Sequence, residues 1–395
     1  MIKRFLCAPG PTAVPSELLS EMSKPLMHHR TPQFSQIVFE NAEMLKKVFK
    51  TNNTVLTLTS SGTGAMEASI TNFMSEGDKI IVLSAGKFGE RFAEIGRAYK
   101  LNVIELKAEY GKDIKADEVE RALKENPDTK GVYTEYSETS TGVAFDVKKI
   151  APVVKKTDAI FVIDGITAIG AMEFNMDEWG IDVAVAGSQK SFMIPPGLAF
   201  ISYSEKASER MKNAKLPKYY FDLAKEKKNL EKKTTAWTPA ITLFIGLNYA
   251  LKMMLEEGID NVIKRHSLVA ECFREAVQSI GLKLFPDVPD VRPSDSVTAV
   301  RVPEGIEGAK IPALMRDKYG VTIAGGQGTM KGKIFRLGHL GYVDKSDLVV
   351  ELQAMELALK ELGYKFEFGK SVYTAQKFIL EKFPVPQVEL SEAGD

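Results

Sequence analysis

Lys190 stands where an apolar run ends, among small polar residues. The run DVAVAG (182–187) leads into Ser188-Gln189-Lys190, and Pro195-Pro196-Gly197 precedes the next apolar run. A partly desolvated lysine has a lowered pKa and is the nucleophile that Schiff-base chemistry requires. An ordinary surface lysine is the alternative, and the position of Lys190 alone does not decide between the two.

Asp164 ends the apolar run AIFVID (159–164), so that five apolar residues lead directly into a carboxylate. In an open α/β sheet, ligands bind at the carboxyl ends of the strands. A carboxylate there could bind a cation, a metal ion or a protonated ring nitrogen. A helix N-cap or turn residue is the other interpretation, because Gly165 follows.

The stretch Ser60-Ser61-Gly62-Thr63-Gly64 lies between an apolar run (54–59) and a helix beginning near Ala65. A helix N-terminus offers unpaired N–H groups, glycine lets an anion approach closely, and Ser61 and Thr63 add hydroxyl donors. The stretch is neither a Walker loop nor a GxGxxG motif. It predicts either a phosphate cradle or an ordinary capped helix start.

Two further side chains could serve a site. Phe88, in SAGKFGE after the run 79–84, could stack on a flat ring or pack in the core. Arg336, in KIFRLGHLG, lies inside an apolar strand, and its fork suits a planar carboxylate. A structural salt bridge is the alternative for Arg336.

The elements that must position these residues are short apolar runs that alternate with amphipathic stretches. This alternation indicates an α/β sheet that is mostly parallel and covered on both faces. The last two runs are too close for a parallel crossover, so we expect 198–203 to be antiparallel to its predecessor. The runs are 54–59, 79–84, 102–106, 131–136, 159–164, 182–187 and 198–203.

The rest of the chain suggests four parts. We predict an N-terminal arm (1–20), a large cofactor-binding domain (21–258), a small α+β domain (259–365) and a C-terminal extension (366–395) with a helical part and an acidic end. The lysine-rich stretch 204–234 is interpreted as a solvated helix and loop, or as a mobile segment over the site.

Composition argues against several classes of function. Lys plus Arg equals Asp plus Glu, 52 each, so no bulk positive field exists to attract nucleic acid or an anionic membrane. Cys7 and Cys272 cannot form a thiolate cluster, and the four histidines are interpreted as non-ligands, so we predict no metal site. Neither a signal peptide nor an apolar stretch of about 18 residues is visible, which predicts a cytoplasmic protein.

A phosphate cradle, an aromatic ring, an aspartate and a lysine are the parts that pyridoxal 5′-phosphate requires. The sequence also resembles the class V aminotransferases of fold type I, in particular the alanine–glyoxylate and serine–pyruvate group. The resemblance covers about residues 5–365. It includes LCAPGPTAVP, SSGTGAMEA, SETSTG (137–142), VIDGITAIG, GSQKSFMIPPG and FRLGHLG.

The resemblance implies a role for each candidate residue. Lys190 would form the internal aldimine and shuttle a proton between substrate Cα and cofactor C4′, and Asp164 would pair with the pyridine nitrogen. Phe88 would stack on the ring, and Thr139 would lie near the ring hydroxyl. The phosphate would be held by Ser61, Gly62, Thr63 and Gln189.

The resemblance further implies a homodimer whose active sites are shared between subunits. Thr235 and Thr238 would be phosphate ligands supplied by the neighbouring subunit. Arg336 would bind the substrate carboxylate, and Gly10, in the segment Pro9-Gly10-Pro11-Thr12, would close over the substrate. This chain has threonine at position 63, where some relatives have histidine.

The implied activity is transfer of an amino group from a small amino acid, alanine or serine, to glyoxylate or pyruvate. An aminotransferase for phosphonates or phosphoserine is the alternative, with basic residues at 28–30, and a lyase is a weaker one. A cysteine desulfurase needs a nucleophilic cysteine on a mobile loop, which neither cysteine fits. A hydrogenase component needs clustered thiolates, and a non-catalytic binding protein would not need Lys190 and Asp164.

Overall fold

The structure, a computed structural model, describes residues 2–286 and 289–384. Its strands are β1 (Phe5–Leu6), β2 (Val55–Leu58), β3 (Lys79–Ser84), β4 (Asn102–Lys107), β5 (Gly131–Glu135), β6 (Ser137–Glu138), β7 (Val143–Ala144), β8 (Ile160–Asp164), β9 (Val183–Gly187), β10 (Ala199–Tyr203), β11 (Leu284–Phe285), β12 (Arg292–Pro293), β13 (Val297–Arg301), β14 (Val321–Thr322), β15 (Ala324–Gly325) and β16 (Ile334–Gly338).

The helices alternate with these strands in the first half of the chain and dominate the second. They are α1 (Ser16–Met22), α2 (Pro32–Phe49), α3 (Gly62–Thr71), α4 (Lys87–Ala98), α5 (Ala116–Glu125), α6 (Val147–Lys155), α7 (Met176–Trp179), α8 (Glu205–Met211), α9 (Leu223–Leu230), α10 (Ile241–Glu257), α11 (Ile259–Ser279), α12 (Lys310–Asp317), α13 (Lys345–Glu361) and α14 (Lys370–Lys382).

The seven apolar runs form one central sheet, in the order β2-β10-β9-β8-β5-β3-β4. Neighbouring strands from β9 to β4 are parallel, whereas β10 is antiparallel to both β9 and β2. The predicted direction of 198–203 is therefore confirmed, and the predicted runs agree with the strands to within one residue at each end. The fold is the mostly parallel α/β sheet that the alternation predicts.

Alternate side chains of each central strand enter different cores, because successive residues of a strand point to opposite faces. In β8, Phe161 and Ile163 pack with helices α2, α6 and α10. Ile160 and Val162 pack on the other face, with α3 and α4. Asp164 continues the second series, so its carboxylate points toward the α3 and α4 layer.

A second, antiparallel sheet follows in the order β11-β13-β16-β15 and packs against α11, α12, α13 and α14. The N-terminal residues also belong to this packing, since β1 pairs in parallel with β14 and Gly338 N donates to Cys7 O. Helix α14 is the helical part of the predicted extension, and its acidic end, 385–395, lies outside the described residues.

The lysine-rich stretch 204–234 contains α8 and α9, which bury Ala207 and Leu223 against the α3 and α4 face of the sheet. Among the described residues, no helix combines the length and apolar character needed to cross a membrane.

Candidate active site

Lys190 lies three residues beyond the end of β9, and the N-terminal arm covers it. Its Nζ donates to Pro9 O at 2.5 Å, and Thr12 donates to the backbone oxygens of Gln189 and Lys190. A Cβ atom on Gly10 would lie only 2.1 Å from Nζ, so only glycine lets the arm pass this close. The N-terminal arm is therefore held in direct contact with Lys190.

Desolvation lowers the pKa of Lys190 to about 8. The negative charge of Asp164 opposes this shift, while Arg336 and Arg91 add to it. About a tenth of the amine is therefore unprotonated at pH 7, far more than for an exposed lysine, as a nucleophilic lysine requires.

Asp164 is buried at the end of β8 and is also the turn residue that the alternative interpretation predicts. Its Oδ1 accepts from Ile166 N at 2.7 Å. Burial raises its pKa, whereas the neighbouring Glu135, the Ile166 N–H, Arg91 and Lys190 act in the opposite direction. Asp164 can cap the turn with one oxygen and still face a cation.

The predicted phosphate cradle is the first turn of α3. The Ser61 hydroxyl makes no capping bond, which differs from an ordinary capped helix start. A Cβ atom on Gly62 would lie 2.4 Å from Ile166 Cδ1, and one on Gly187 would lie within 4 Å of Gly62, Ile166 and Gln189. The two glycines thus allow the α3 N-terminus, the Asp164 turn and the Gln189 side chain to converge.

Phe88 lies in the first turn of α4, and its ring is covered by the guanidinium of Arg91 at 4.7 Å. Arg91 also donates to Thr63 Oγ1 at 3.1 Å, which ties α4 to the start of α3. Sequence reasoning missed Arg91. Its spacing of three residues from Phe88 on a helix was the available signal.

Thr139 and Arg336 are in direct contact. Arg336 Nη1 donates to Thr139 O at 2.8 Å, and Nε and Nη2 donate to Gly325 O at 3.0 and 2.8 Å. Desolvation lowers the pKa of Arg336 to about 10. Within the described residues Arg336 makes no ion pair, so the structural salt bridge considered for it is not formed there.

Three further residues shape the site and were missed from the sequence. Glu138 accepts from Phe88 N, Gly89 N and Ser140 Oγ, and so fixes the SETSTG turn to α4. Thr167 Oγ1 lies 3.0 Å from Thr139 Oγ1. Glu135 adjoins Asp164 across the sheet.

Thr235 and Thr238 lie elsewhere in this chain, beside the end of β2. Thr235 Oγ1 donates to Trp237 O, and Thr235 O accepts from Arg30. No hydrogen bond within the described part of the chain joins either threonine to Gly62 or Lys190. Their assignment to a neighbouring subunit's phosphate stays a prediction.

These residues fit pyridoxal phosphate. The side-chain amide of Gln189 lies beside the open N-terminus of α3, and its NH₂ group is a donor from which a phosphate can accept. The lysine amine and the aspartate carboxylate face the same crevice at adjacent strand ends. No group of three or more His, Cys, Asp or Glu side chains in residues 2–286 and 289–384 is arranged to hold a metal ion.

Several known proteins have sequences similar to this one over nearly its whole length. The chain is 42% identical to a protein of Synechococcus named soluble hydrogenase small subunit, over 95% of this chain and 98% of the relative. It is 36% identical to the L-aspartate–glyoxylate aminotransferase of Paracoccus denitrificans, over 93% and 94%. It is 32% identical to the serine–glyoxylate aminotransferase of Methylorubrum extorquens, over 96% of each.

The structure is also similar to a solved one, the ureidoglycine–glyoxylate aminotransferase of Bacillus subtilis. The TM-score is 0.92 at 29% identity, over 96% of this chain and 99% of the other. The family model described as aminotransferase class V matches residues 5–343. The chain therefore belongs to the class V aminotransferases, which are enzymes dependent on pyridoxal phosphate.

Proposed function

We propose that this enzyme transfers the amino group of a small amino acid, alanine or serine, to glyoxylate or pyruvate. The observation that carries the proposal is the desolvated amine of Lys190, which lies in one crevice with Asp164 and the open N-terminus of α3. The three aminotransferases named above differ in the amino donor, but their names share glyoxylate. This common acceptor supports a small 2-oxo acid for this chain.

Pyridoxal phosphate, when bound, supplies an electron sink for the electrons released at the substrate Cα. We assign Lys190 to hold the cofactor covalently, to take the proton from Cα and to return it at C4′. Asp164 keeps the ring nitrogen protonated, because a buried carboxylate favours a cation beside it. Thr139 would face the ring hydroxyl.

The phosphate would be held at the start of α3 by Ser61, Gly62, Thr63 and Gln189. Unpaired N–H groups and the helix dipole favour an anion at such a terminus. Phe88 would cover one face of the ring, and Ile166, which packs between Gly62 and the Asp164 turn, would cover the other. Arg91 would keep Phe88 in place.

Arg336 would bind the substrate carboxylate. In the described residues the hydrogen-bond partners of the buried Arg336 guanidinium are neutral carbonyl oxygens, and a substrate carboxylate would add an ion pair in bidentate geometry. Gly10 lies against the side chain of Lys190, where the arm would restrict the size of the substrate.

We further propose a cytoplasmic homodimer in which Thr235 and Thr238 complete the partner's phosphate site. Thr235 O accepts from Arg30, and no hydrogen bond in the described residues joins either threonine to Lys190, which supports a role away from their own lysine. The division into an arm, two domains and an extension, and any movement of 204–234, belong to the same proposal.

The proposal is tested on the purified protein incubated with pyridoxal phosphate. Visible absorption should develop, and borohydride should fix the cofactor to the peptide that contains Lys190. Single-turnover reactions should then rank alanine and serine above aspartate, glutamate, phosphoserine and aminoethylphosphonate as donors. Undiminished amino transfer by Lys190→Ala would refute the catalytic assignment, and a preference for the phosphorylated or phosphonate donor would refute the substrate class.

A further inference from the structure

Two buried carboxyl groups lie side by side at the carboxyl ends of two neighbouring central strands, on the side of the sheet where β9 leads to Lys190. Glu135 ends β5 and Asp164 ends β8, and the two residues are direct partners in the parallel register. Partners in register point to the same face of a sheet. That face is the one covered by α3 and α4, where Glu135 is only 2% and Asp164 only 4% exposed.

Two carboxylates this close and this buried cannot both carry a charge. The charged groups that face Glu135 are Asp164, Glu138 on β6 and Arg91 on α4. Two of these three are acidic. Arg91 is engaged with Thr63 and the Phe88 ring, and it forms no ion pair with Glu135 within the described residues.

The proton shared by the pair belongs on Glu135. Asp164 has a backbone donor, Ile166 N, that favours its ionised form, and it also faces Lys190. In the described chain no backbone N–H donates to Glu135, and its Oε1 is buried without a hydrogen-bond partner. Burial and the adjacent Asp164 accordingly raise the pKa of Glu135 well above its ordinary value.

We propose that Glu135 is a positioning residue, whose carboxylic acid group donates a hydrogen bond to Asp164 and so holds that carboxylate ionised and oriented toward the cofactor's ring nitrogen. No atom is transferred, since the proton stays on Glu135. The role toward the ring rests on the proposed function, whereas the hydrogen bond between the two side chains does not.

The hydrogen bond is tested first, without cofactor. Infrared difference spectra at neutral pH would compare the wild-type apoprotein with Glu135→Gln. We expect the variant to lose a carbonyl stretch of a protonated carboxylic acid that shifts in ²H₂O. Loss of carboxylate bands alone would show that Glu135 is ionised, and would overturn the proposal.

The positioning role is tested with two variants of Glu135. Glu135→Gln keeps a donor, whereas Glu135→Leu has similar size and none. Losing a hydrogen bond to a charged group should weaken cofactor binding by about tenfold to a hundredfold in Glu135→Leu. It should also shift the pH midpoint of the bound cofactor's visible absorption, while Glu135→Gln should retain most of both properties.

Equal binding and an unshifted midpoint in Glu135→Leu would overturn the positioning role. Circular dichroism and thermal unfolding would establish that both variants fold. A wild-type protein that bound no cofactor would refute the proposed function together with the role toward the ring. The infrared comparison would still decide the hydrogen bond.

Discussion

Burial and the charge of Asp164 shift the pKa of the Lys190 amine in opposite directions. Desolvation favours the neutral amine, whereas Asp164 favours the ammonium form. The two effects can be separated because only one of them depends on a removable charge. Lys190 should therefore react with amine reagents at a lower pH than the exposed lysines of this chain do.

We predict that an amine-selective reagent modifies Lys190 of the apoprotein with a pH midpoint at about 8. In Asp164→Asn the midpoint should move to lower pH, because the charge that stabilises the ammonium form is gone. Peptide mass spectrometry after timed labelling would measure both midpoints, with exposed lysines in the same digest as reference. A midpoint for Lys190 equal to theirs would contradict the prediction.

At the same scale, Lys190, Asp164 and Arg336 could be found from the sequence because each stands out against the apolar run it ends or interrupts. Glu135 also ends an apolar run, but its proximity to Asp164 depends on β5 lying next to β8 in the sheet. The order of strands in a sheet is set by packing between distant segments, which local patterns do not encode. Ile166 gave no signal because an isoleucine after a strand is ordinary.

Among the elements, the buried parallel strands were predictable because both of their faces enter a core, so their residues are almost continuously apolar. The direction of β10 followed from the short connection before it. Strands of two residues, such as β1 and β14, have no pattern to detect. The path of the N-terminal arm from its pairing with β14 to Lys190 was therefore visible only in the structure.

The arm's approach to Lys190 depends on Gly10, which has a φ of +127°. We predict that Gly10→Ala costs about 1 kcal/mol of stability from backbone strain and also displaces the lysine amine. Cofactor binding should weaken markedly. Guanidinium unfolding and a spectroscopic titration with pyridoxal phosphate would measure the two effects.

Gly305→Ala is the matched control, because Gly305 has a φ of +80° and, apart from its chain neighbours, no atom of the described residues would lie within 4 Å of the added Cβ. It should show the loss of stability without the loss of cofactor binding. Indistinguishable cofactor affinities for the two variants would mean that the arm does not constrain Lys190.

Helix α13 carries a buried acid against the same arm. In the described residues, neither carboxylate oxygen of Glu351 accepts a hydrogen bond that meets normal geometric criteria. The Cys7 thiol is the polar group that lies close to this carboxyl group. Burial raises the pKa of Glu351 to about 8. The folded protein therefore holds a proton there that the unfolded chain releases above about pH 4.5.

Because the folded state binds the extra proton, the stability contributed at this site falls as pH rises from about 4.5 to 8 and is level above that window. We predict that Glu351→Gln removes this loss, which is about 1.4 kcal/mol per pH unit. Unfolding free energies across the window would measure it, with exposed Glu304→Gln as control. Parallel pH profiles for wild type and Glu351→Gln would refute the prediction.

At the scale of the whole molecule, the proposed sharing of sites can be tested by mixing two defective proteins. Lys190→Ala lacks the amine, and Thr235→Val combined with Thr238→Val lacks the two hydroxyls. In a heterodimer with shared sites, one site receives neither defect. Co-refolding equal amounts should therefore restore about a quarter of wild-type activity, since half of the dimers are mixed and half of their sites are intact.

If both threonines serve their own chain, the mixture should only average the activities of its parents. Full activity of the threonine double variant by itself would show that the hydroxyls are dispensable. The unmixed proteins, refolded separately and then combined, provide the control for incomplete exchange.

The pairing of β1 with β14 has a consequence for how the protein is made. Residue 5 is synthesised long before residue 321, its partner in the sheet. On the ribosome, the arm must wait for the distant strand while the central sheet, complete at Tyr203, can already form. The chemical character of Lys190 would then be acquired late, because a nascent chain with an undocked arm leaves that amine in water, where it is an ordinary lysine.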